Sequence, residues 1–322
     1  MSAQVAVVGS YNQDHVWVAD RLPAPGETRL GRYHTGPGGK GFNQAVAAAR
    51  LGAQTLFIGA LGEDPAGEHA MDLAREYHLA MRVQRPPGEA TGSAAVIVDG
   101  QGRNQIVVAP GANAVLSERF VRGQAEQLRA AHVVLTQLEV NTAAVETALA
   151  LARSAGRITI LNPAPVDAGV SAIALSDTDI LTPNETEFAA VLAAQRGGPV
   201  AGEGVATLGD DELHALCRRL GVPTVVVTLG ARGCFVSHAD GQLRGDEATH
   251  YRIAGEAVEA IDTTGAGDAF NGALAAALAL HPGRPFADAV RLANRYAALS
   301  TERPGAALAM PTRAEFQARY GG

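Results

Sequence analysis

A short run of acidic, hydroxyl-bearing and small residues near the carboxyl end of the chain has the composition of a catalytic turn. It reads Asp262-Thr263-Thr264-Gly265-Ala266-Gly267-Asp268 and lies between a predicted strand end at residues 258–261 and an apolar, helical run over residues 269–280. The small residues at its centre leave the backbone nearly bare, so that a ligand can approach it closely. The unpaired N–H groups and the dipole at a helix start favour an anion at such a turn.

These residue types suit the transfer of a phosphoryl group to a hydroxyl. Asp268 would accept the hydroxyl proton, and the amides of Gly265, Ala266 and Gly267 would stabilise the charge on the transferred group. A carboxylate in the first turn of a helix tends to stay ionised. The alternative is that Asp268 only caps the helix and that the glycines only form a tight turn. The oxygen-bearing side chains of residues 262–264 favour a functional site.

The size and composition of the chain limit the classes of protein to which it can belong. Its 322 residues are 47% hydrophobic and 18% charged, which is typical of a soluble globular protein with a substantial core. The net charge of −7 and the pI of about 5.7 give no support to a nucleic-acid partner. We find no signal peptide and no apolar run long enough to span a membrane. The two cysteines, Cys217 and Cys234, form neither a metal motif nor a disulfide framework, which favours a cytoplasmic location.

Apolar runs alternate with helical segments along most of the chain, which predicts a parallel α/β sheet. The first run, residues 4–9, is a predicted buried strand, and Asn12, Gln13 and Asp14 follow it. Ligands of such sheets collect beyond the carboxyl ends of the strands, so Asn12 and Asp14 are well placed. From position alone, a ligand site and a polar turn are equally favoured.

A glycine-rich segment over residues 36–44 precedes an alanine-rich helix and admits three interpretations. A P-loop requires serine or threonine after the lysine, whereas Gly41 follows Lys40. A dinucleotide-binding fingerprint matches Gly36, Gly38 and Gly41, but it does not follow the first strand directly. The third interpretation rests on a family resemblance.

The run from Asp262 to Gly272 closely resembles the carboxyl-terminal signature of the ribokinase-like, or PfkB-type, carbohydrate kinases. The run Gly38-Gly39-Lys40-Gly41-Phe42-Asn43 is similar to the amino-terminal Gly-Gly-Lys-Gly-x-Asn signature of the same family. The resemblance implies a three-layer α/β/α sandwich, Rossmann-like, with a small β-sheet lid. It further implies a single domain over residues 1–322, with lid segments at about 12–35 and 92–110, and ATP-dependent phosphorylation of a sugar, with O5 of D-ribose as the preferred acceptor.

The same resemblance implies which residues form the substrate sites. Those that would hold the sugar come from the first strand end, the glycine loop, a later strand end and the catalytic turn: Asn12, Gln13, Asp14, Gly39, Lys40, Gly41, Phe42, Asn43, Glu139 and Asp268. Those that would line the nucleotide come from the second half of the chain: Asn184, Thr228, Leu229, Gly230, Ala231, Arg232, Gly233, Gly267, Asp268 and Asn294.

Two cations follow from the resemblance. Glu187 would organise Mg²⁺ through water, since Mg²⁺ takes few protein ligands. K⁺ beside the catalytic turn would be bound by two side chains of the turn and by a loop after the penultimate helix, through Asp262, Thr264, Ser300, Arg303, Gly305 and Ala309. Ala309 departs from the family pattern, which places a serine there. A plain helix cap at residues 184–187 and an ordinary loop at residues 300–309 are the alternatives.

Strands at residues 15–19, 28–33, 92–98 and 104–109 predict a small antiparallel sheet. In the family this sheet covers the sugar site, and its exposed strand edges imply a homodimer formed through the lid.

Other functions stay open at this point. Kinases of the same family that act on fructose, deoxygluconate, adenosine or pseudouridine share the carboxyl-terminal signature. Two further classes are an NAD-binding oxidoreductase, which rests on the glycines of residues 36–41 alone, and a sugar sensor that has lost catalysis. The intact Asp268 argues against the sensor.

Overall fold

The computed structural model describes residues 4–166, 170–195 and 202–321 of the chain. The strands are β1 Val5–Val8, β2 Asn12–Val18, β3 Arg32–Gly38, β4 Thr55–Ala60, β5 Ala80–Gln84, β6 Gly92–Val98, β7 Asn104–Ala109, β8 Val133–Thr136, β9 Ile158–Leu161, β10 Ile180–Leu181, β11 Thr224–Thr228, β12 Cys234–His238 and β13 His250–Ile253. The α-helices are α1 Lys40–Arg50, α2 Pro65–Glu76, α3 Glu118–Arg122, α4 Ala125–Ala130, α5 Thr142–Ser154, α6 Ala172–Ser176, α7 Glu185–Ala194, α8 Asp210–Arg218, α9 Ala266–Leu280, α10 Phe286–Ser300 and α11 Arg313–Tyr320.

The main sheet has nine strands in the order β13-β12-β11-β10-β9-β8-β1-β4-β5. It is parallel from β11 to β5, and the last two strands at the other end, β12 and the edge strand β13, are antiparallel to their neighbours. Strand β1 lies between β8 and β4 and is buried along its whole length, as expected for an apolar strand with helices on both faces. The predicted parallel α/β sheet is therefore confirmed, and the carboxyl ends of its central strands meet at one edge.

Helices cover both faces of this sheet, which gives the three predicted layers. One core contains Phe42 of α1 and Leu274 of α9, and the core on the other face contains Phe188 of α7. Helix α9 packs very closely on α1, because a Cβ added to Gly272 would lie 2.3 Å from the main-chain oxygen of Gln44. This contact brings the start of α9 against the start of α1. Among the described residues, no helix combines the length and the apolar character needed to cross a bilayer.

A separate four-stranded sheet in the order β3-β2-β6-β7 forms the lid. The β2/β3 and β6/β7 pairs are antiparallel, but β2 and β6 are parallel, so the sheet is mixed rather than antiparallel as predicted. The physical reason is the connection. The two hairpins are separated in sequence by α1, β4, α2 and β5 of the main body, and such a long crossover allows parallel pairing.

Several predicted boundaries in the amino-terminal half are corrected. Strand β2 begins at Asn12 rather than at residue 15, and β3 covers Arg32–Gly38 rather than residues 28–33. Gly36 and Gly38 therefore belong to a strand, and only Gly39 separates that strand from α1. Strand β5 was not predicted, and two short helices, α3 and α4, precede β8.

The strand predicted at residues 258–261 is wrong. Strand β13 at His250–Ile253 forms the edge of the sheet instead, and Ile261 is 71% exposed, away from any strand of the described chain. The glycine-rich, polar composition of residues 196–209 predicts a surface insertion; residues 202–207 of it form a short 3₁₀-helix, and residues 196–201 lie outside the described part.

Candidate active site

Asp268 lies in the first turn of α9, and its carboxylate is buried against α1. Gly265 adopts a left-handed conformation with φ 74°, which turns the chain into the helix at Ala266. Asp268 is only 6% exposed. Its Oδ2 accepts a hydrogen bond from Asn43 Nδ2 at 2.9 Å, and its Oδ1 accepts one from Gln44 Nε2 at 2.9 Å. The predicted base therefore contacts the predicted sugar-binding segment at residues 39–43, which we call the sugar loop.

Opposing effects act on the charge of this carboxylate. Burial raises the pKa of Asp268, and the nearby Glu139 raises it further. The positive charge of Lys40 and the amide groups of Asn43 and Gln44 lower the pKa, but the net direction is upward. The helix start alone predicted an ordinary, ionised acid. Burial overrides that effect and makes the carboxylate a stronger base.

The start of α9 offers backbone N–H groups beside Asp268. No side chain caps this helix start. Within the described residues, the N–H groups of Gly267 and Asp268 donate to no protein acceptor, whereas the Ala266 N–H donates to Thr263 O at 3.1 Å. A Cβ added to Gly267 would meet no atom within 4 Å, so the space above this turn is open. The Ala266 amide, predicted to bind the anion, instead closes the turn.

Asn12 and Asp14 lie at the start of β2, next to the sheet edge where β1 ends. Asn12 Oδ1 accepts a hydrogen bond from Asn113 Nδ2 at 2.9 Å, and the same Asn113 amide bonds the main chain of Tyr11. Asn113 is thus a site residue that the sequence prediction missed. Its only signal was an amide side chain in the Gly-Ala-Asn turn that closes the lid segment.

The carboxylate of Asp14 differs from that of Asp268 in its hydrogen bonding. Within the described residues no hydrogen bond reaches its side chain. Burial, together with the charge of Glu139, raises the pKa of Asp14 to about 7. The carboxylate packs against the backbone, since a Cβ added to Gly38 would lie 2.3 Å from Asp14 Oδ2. A half-buried acceptor of this kind is suited to hydroxyl donors from a ligand.

Glu139 lies beyond the end of β8 and holds the sugar loop. Its Oε2 accepts hydrogen bonds from the Ser10 hydroxyl and from the Lys40 main-chain N–H, the latter at 2.9 Å. Gly39, which precedes α1, adopts φ 87°, and a Cβ there would lie 2.7 Å from Asn12 N. The loop therefore requires glycine at this position because the first strand end and the helix start touch.

Lys40 brings a positive charge to this group of acids. Although burial lowers the pKa of Lys40, the carboxylates of Asp268, Glu139 and Glu187 outweigh it and raise the pKa above its ordinary value. The ammonium therefore stays charged. It lies within electrostatic reach of the predicted base, one predicted sugar ligand and the predicted Mg²⁺ residue.

Three of the predicted sugar ligands are not free to contact a sugar through their side chains. Phe42 is fully buried and packs edge-on against Tyr11, with ring centroids 5.1 Å apart. Gln13 Nε2 donates to Gly36 O at 3.0 Å within the lid. Gly41 is a packing residue, because a Cβ there would lie 2.5 Å from Ser10 N. Gly41 and Phe42 lie on α1, where successive residues point about 100° apart, so not every residue of the motif can face one ligand.

The predicted nucleotide residues lie at the carboxyl ends of β10 and β11. Asn184 forms a parallel bridge with Thr228, and Thr228 N donates to Pro183 O at 2.9 Å. The next turn is a 3₁₀-helix over Gly230–Arg232, and Arg232 is tied to Glu185 by an ion pair of 2.9 Å. Ala231 lies within this turn.

Some of these residues contribute only their main chains. Leu229 is buried in the core, so its side chain cannot line a nucleotide. Gly233 adopts φ 88°, and a Cβ there would lie 2.0 Å from Ile253 O, which explains the glycine. Asn294 Nδ2 donates to Ala254 O at 2.9 Å and so attaches α10 to the segment after β13.

Glu187 forms a capping box with Asn184, as the alternative interpretation predicted. Asn184 Oδ1 accepts from Glu187 N at 2.8 Å, and Glu187 Oε2 accepts from Asn184 N at 2.9 Å. Burial nevertheless raises the pKa of Glu187, and the charges of Lys40 and Asp268 also act on it. The same residue therefore caps α7 and interacts electrostatically with Lys40 and Asp268.

Asp262 joins the two segments predicted to bind a cation. Its Oδ1 accepts from Thr264 N at 2.9 Å, and its Oδ2 accepts from Gly305 N at 2.8 Å. The Ser300 hydroxyl donates to Ala297 O at 2.8 Å, and the Arg303 side chain pairs with Glu315. Of the residues predicted in this loop, Ser300, Arg303, Gly305 and Ala309 can therefore offer main-chain carbonyl oxygens.

The dinucleotide-binding interpretation of the glycine segment finds no support. Gly36 and Gly38 lie in β3 of the lid and pair with β2. A dinucleotide fingerprint instead forms the turn between the first strand of a parallel βαβ unit and its helix.

Comparisons with known proteins agree with this geometry. The pattern of the pfkB family carbohydrate kinases matches residues 2–313, and the chain belongs to that family. It is 40% identical over 317 residues to a ribokinase of Haemophilus influenzae, covering 98% of this chain and 97% of the relative. Two solved structures are similar over 99% of this chain and 98% of theirs: a ribokinase of Giardia lamblia, with a TM-score of 0.86 and 28% identity, and an Arabidopsis thaliana ribokinase complexed with ribose and ATP, with a TM-score of 0.82 and 30% identity.

Proposed function

We propose that this protein transfers the γ-phosphoryl group of ATP to O5 of D-ribose. One observation carries the proposal: the buried carboxylate of Asp268 lies between open backbone N–H groups of α9 and the Asn43 amide of the sugar loop. The preference for ribose is supported by relatives along the whole chain whose name is ribokinase. Asn12, Asp14 and Glu139 supply further polar groups on the acceptor side.

The reaction needs one proton acceptor and one anion site. The acceptor O–H bond breaks and its proton passes to Asp268, while the oxygen forms a bond to the γ-phosphorus. The bond from that phosphorus to the β–γ bridging oxygen breaks, and ADP leaves. The N–H groups of Gly267 and Asp268 stabilise the charge on the transferred group, and the dipole of α9 adds to this effect. Lys40 adds a full positive charge.

The nucleotide lies, in this proposal, across the ends of β10 and β11. The Gly230–Arg232 turn offers its backbone to the nucleotide, and Arg232 is held in place by Glu185. Asn184 and Asn294 bound the same region from α7 and α10.

Two cations fit the residues present. Oxygen donors around Asp262 suit K⁺, which would favour negative charge at the start of α9; Ala309 can offer only its main-chain oxygen. Glu187 leaves one carboxylate oxygen outside its capping box and suits Mg²⁺ bound through water, which would neutralise phosphate charge.

We further propose a single kinase domain that forms a homodimer through the lid. Strand β7 is an exposed sheet edge, with Ile106, Val107 and Val108 all exposed, and Trp17 and Tyr33 are exposed on β2 and β3 of the same sheet. Burying these apolar side chains against a second copy of the chain would stabilise a dimer. The cytoplasmic location stays a prediction; Cys217 and Cys234 are free and buried.

A coupled assay of ADP formation with a panel of acceptors tests the function. Ribose should give the highest kcat/KM, above 2-deoxyribose, fructose, adenosine, pseudouridine and deoxygluconate. Asp268→Asn should lower kcat by about 10²- to 10⁴-fold, which is the range for loss of a general base, and should retain ribose binding in calorimetry.

Asp288→Asn is the matched control, because Asp288 also lies in the first turn of a helix, α10, where it pairs with Arg291. This variant should keep wild-type turnover. Near-wild-type activity of Asp268→Asn would exclude Asp268 as the base, and a higher kcat/KM for another acceptor would replace ribose.

A further inference from the structure

Gln44 contacts the proposed base, and its own side chain is closed off from solvent. It is 0% exposed, so no substrate can reach its side chain. Its Nε2 donates to Asp268 Oδ1 at 2.9 Å and to Asn162 Oδ1 at 3.1 Å. Its Oε1 accepts a hydrogen bond from Gln137 Nε2. Gln44 therefore connects Asp268 to residues that follow β8 and β9.

The orientation of the Gln44 amide is set by a main-chain group. Asn162 Nδ2 donates to Thr182 O at 3.0 Å, and a carbonyl can only accept. Asn162 Oδ1 must then face Gln44, which obliges Gln44 to present N–H rather than oxygen. An amide turned the other way would set two oxygens against each other, both at Asn162 and at Asp268.

The two oxygens of Asp268 therefore differ. Oδ1 is held by a buried chain of amides that ends on the backbone. Oδ2 is held by Asn43, whose own Oδ1 is buried and has no partner within the described residues. Asn43 belongs to the predicted sugar loop and can exchange its contact when a sugar binds, whereas Gln44 cannot.

We propose that Gln44 is a positioning residue for Asp268. It anchors Oδ1, favours the ionised form by donating an N–H group to it, and leaves Oδ2 as the oxygen that accepts the proton of the acceptor hydroxyl. This inference rests on the proposed function, in which Asp268 is the base.

Gln44→Met tests the inference, because methionine is of similar length and cannot donate. Loss of one hydrogen bond to a charged group should lower kcat by about 10- to 100-fold. The KM values for ribose and ATP should stay within about threefold, because Gln44 contacts neither. Without the donor, the acid limb of the kcat profile should move to higher pH by about one to two units.

Gln137→Met is the matched control. It makes the same chemical change in the same buried network, one residue further from Asp268, and Asn162 still orients Gln44. The control should lower the melting temperature comparably and leave the acid limb in place. An unmoved acid limb in Gln44→Met, or an equal movement in both variants, would overturn the inference. If Gln44→Met does not fold, Gln44→Glu, which keeps the size and adds a negative charge, should shift the limb further.

A second readout separates this inference from the proposed function. The carboxyl titration of Asp268 can be followed by infrared difference spectroscopy against Asp268→Asn, without any acceptor. A higher pKa in Gln44→Met supports the inference even if ribose is not the substrate. Normal ribose turnover with an unchanged titration refutes the inference alone.

Discussion

We expect the ionised side chain of Asp14 to lower the free energy of unfolding of the unliganded protein. Its carboxylate is partly buried, receives no hydrogen bond from the described protein, and lies near the charge of Glu139, which together raise its pKa from 3.8 to about 7. A folded-state pKa above the unfolded value means that the folded protein binds the proton more tightly. The ionised form is therefore penalised in the fold, and the penalty grows as the pH rises from the unfolded pKa to the folded pKa.

Asp14→Asn removes this penalty and keeps the shape of the side chain. Each pKa unit corresponds to about 1.4 kcal/mol, so the variant should gain up to about 4 kcal/mol of unfolding free energy at pH 8 and about 2 kcal/mol at pH 5.5. Urea unfolding of the unliganded protein at both pH values measures this gain. Asp20→Asn is the control, since Asp20 is an exposed lid residue paired with Arg29 and should give no gain.

The same substitution should weaken ribose binding. Loss of charge-assisted hydrogen bonds should raise the Kd at pH 8 by about 10- to 100-fold in calorimetry. Wild-type affinity should fall as the pH drops through about 7, where Asp14 takes up its proton, and the variant should lack this dependence. No gain in stability at pH 8, or wild-type affinity that is constant from pH 8 to pH 5.5, would refute the assignment of Asp14 as an ionised ligand for hydroxyl groups.

Two further predictions concern the cation and the lid. Asp262→Asn should require at least about tenfold more KCl for stimulation, because unit charges 4 Å apart attract by about 4 kcal/mol at an effective dielectric constant of about 20. The measurement is a titration of turnover with KCl, with choline chloride as the control salt. An unchanged KCl dependence would contradict the proposed site. Val107→Asp, at a side chain that is 72% exposed on β7, should yield monomers in sedimentation velocity without loss of melting temperature. Dimers that persist in Val107→Asp would locate the subunit contact elsewhere.

Local sequence patterns predicted several local features of the fold and of the proposed site. The bare turn before Asp268 follows from residue types, because small residues and a helix start act within a few positions. The hairpin of β6 and β7 was predicted with its bounds, since two apolar runs on either side of a glycine-containing turn specify it. The parallel sheet followed from the alternation of strands and helices.

Other features depended on which face of an element each side chain occupies. Asn43 faces Asp268, whereas its neighbour Phe42 points into the core. A shift of one residue along a helix changes the direction in which a side chain points. The motif, read as a sequence, does not show which of its residues face the site. The start of β2 at Asn12 likewise depends on pairing with β3 and β6, which lie far along the chain.

The sequence alone therefore indicated the family, the open turn and Asp268 as the proposed base, because these are properties of residues close together in the chain. The tertiary structure alone decided the partners of that base. Gln44 reaches Asp268 only because Gly272 lets α9 pack closely on α1, and Asn113 reaches Asn12 only when the lid folds back on the main sheet. Contacts of that kind are set by packing between distant elements, which no local pattern encodes.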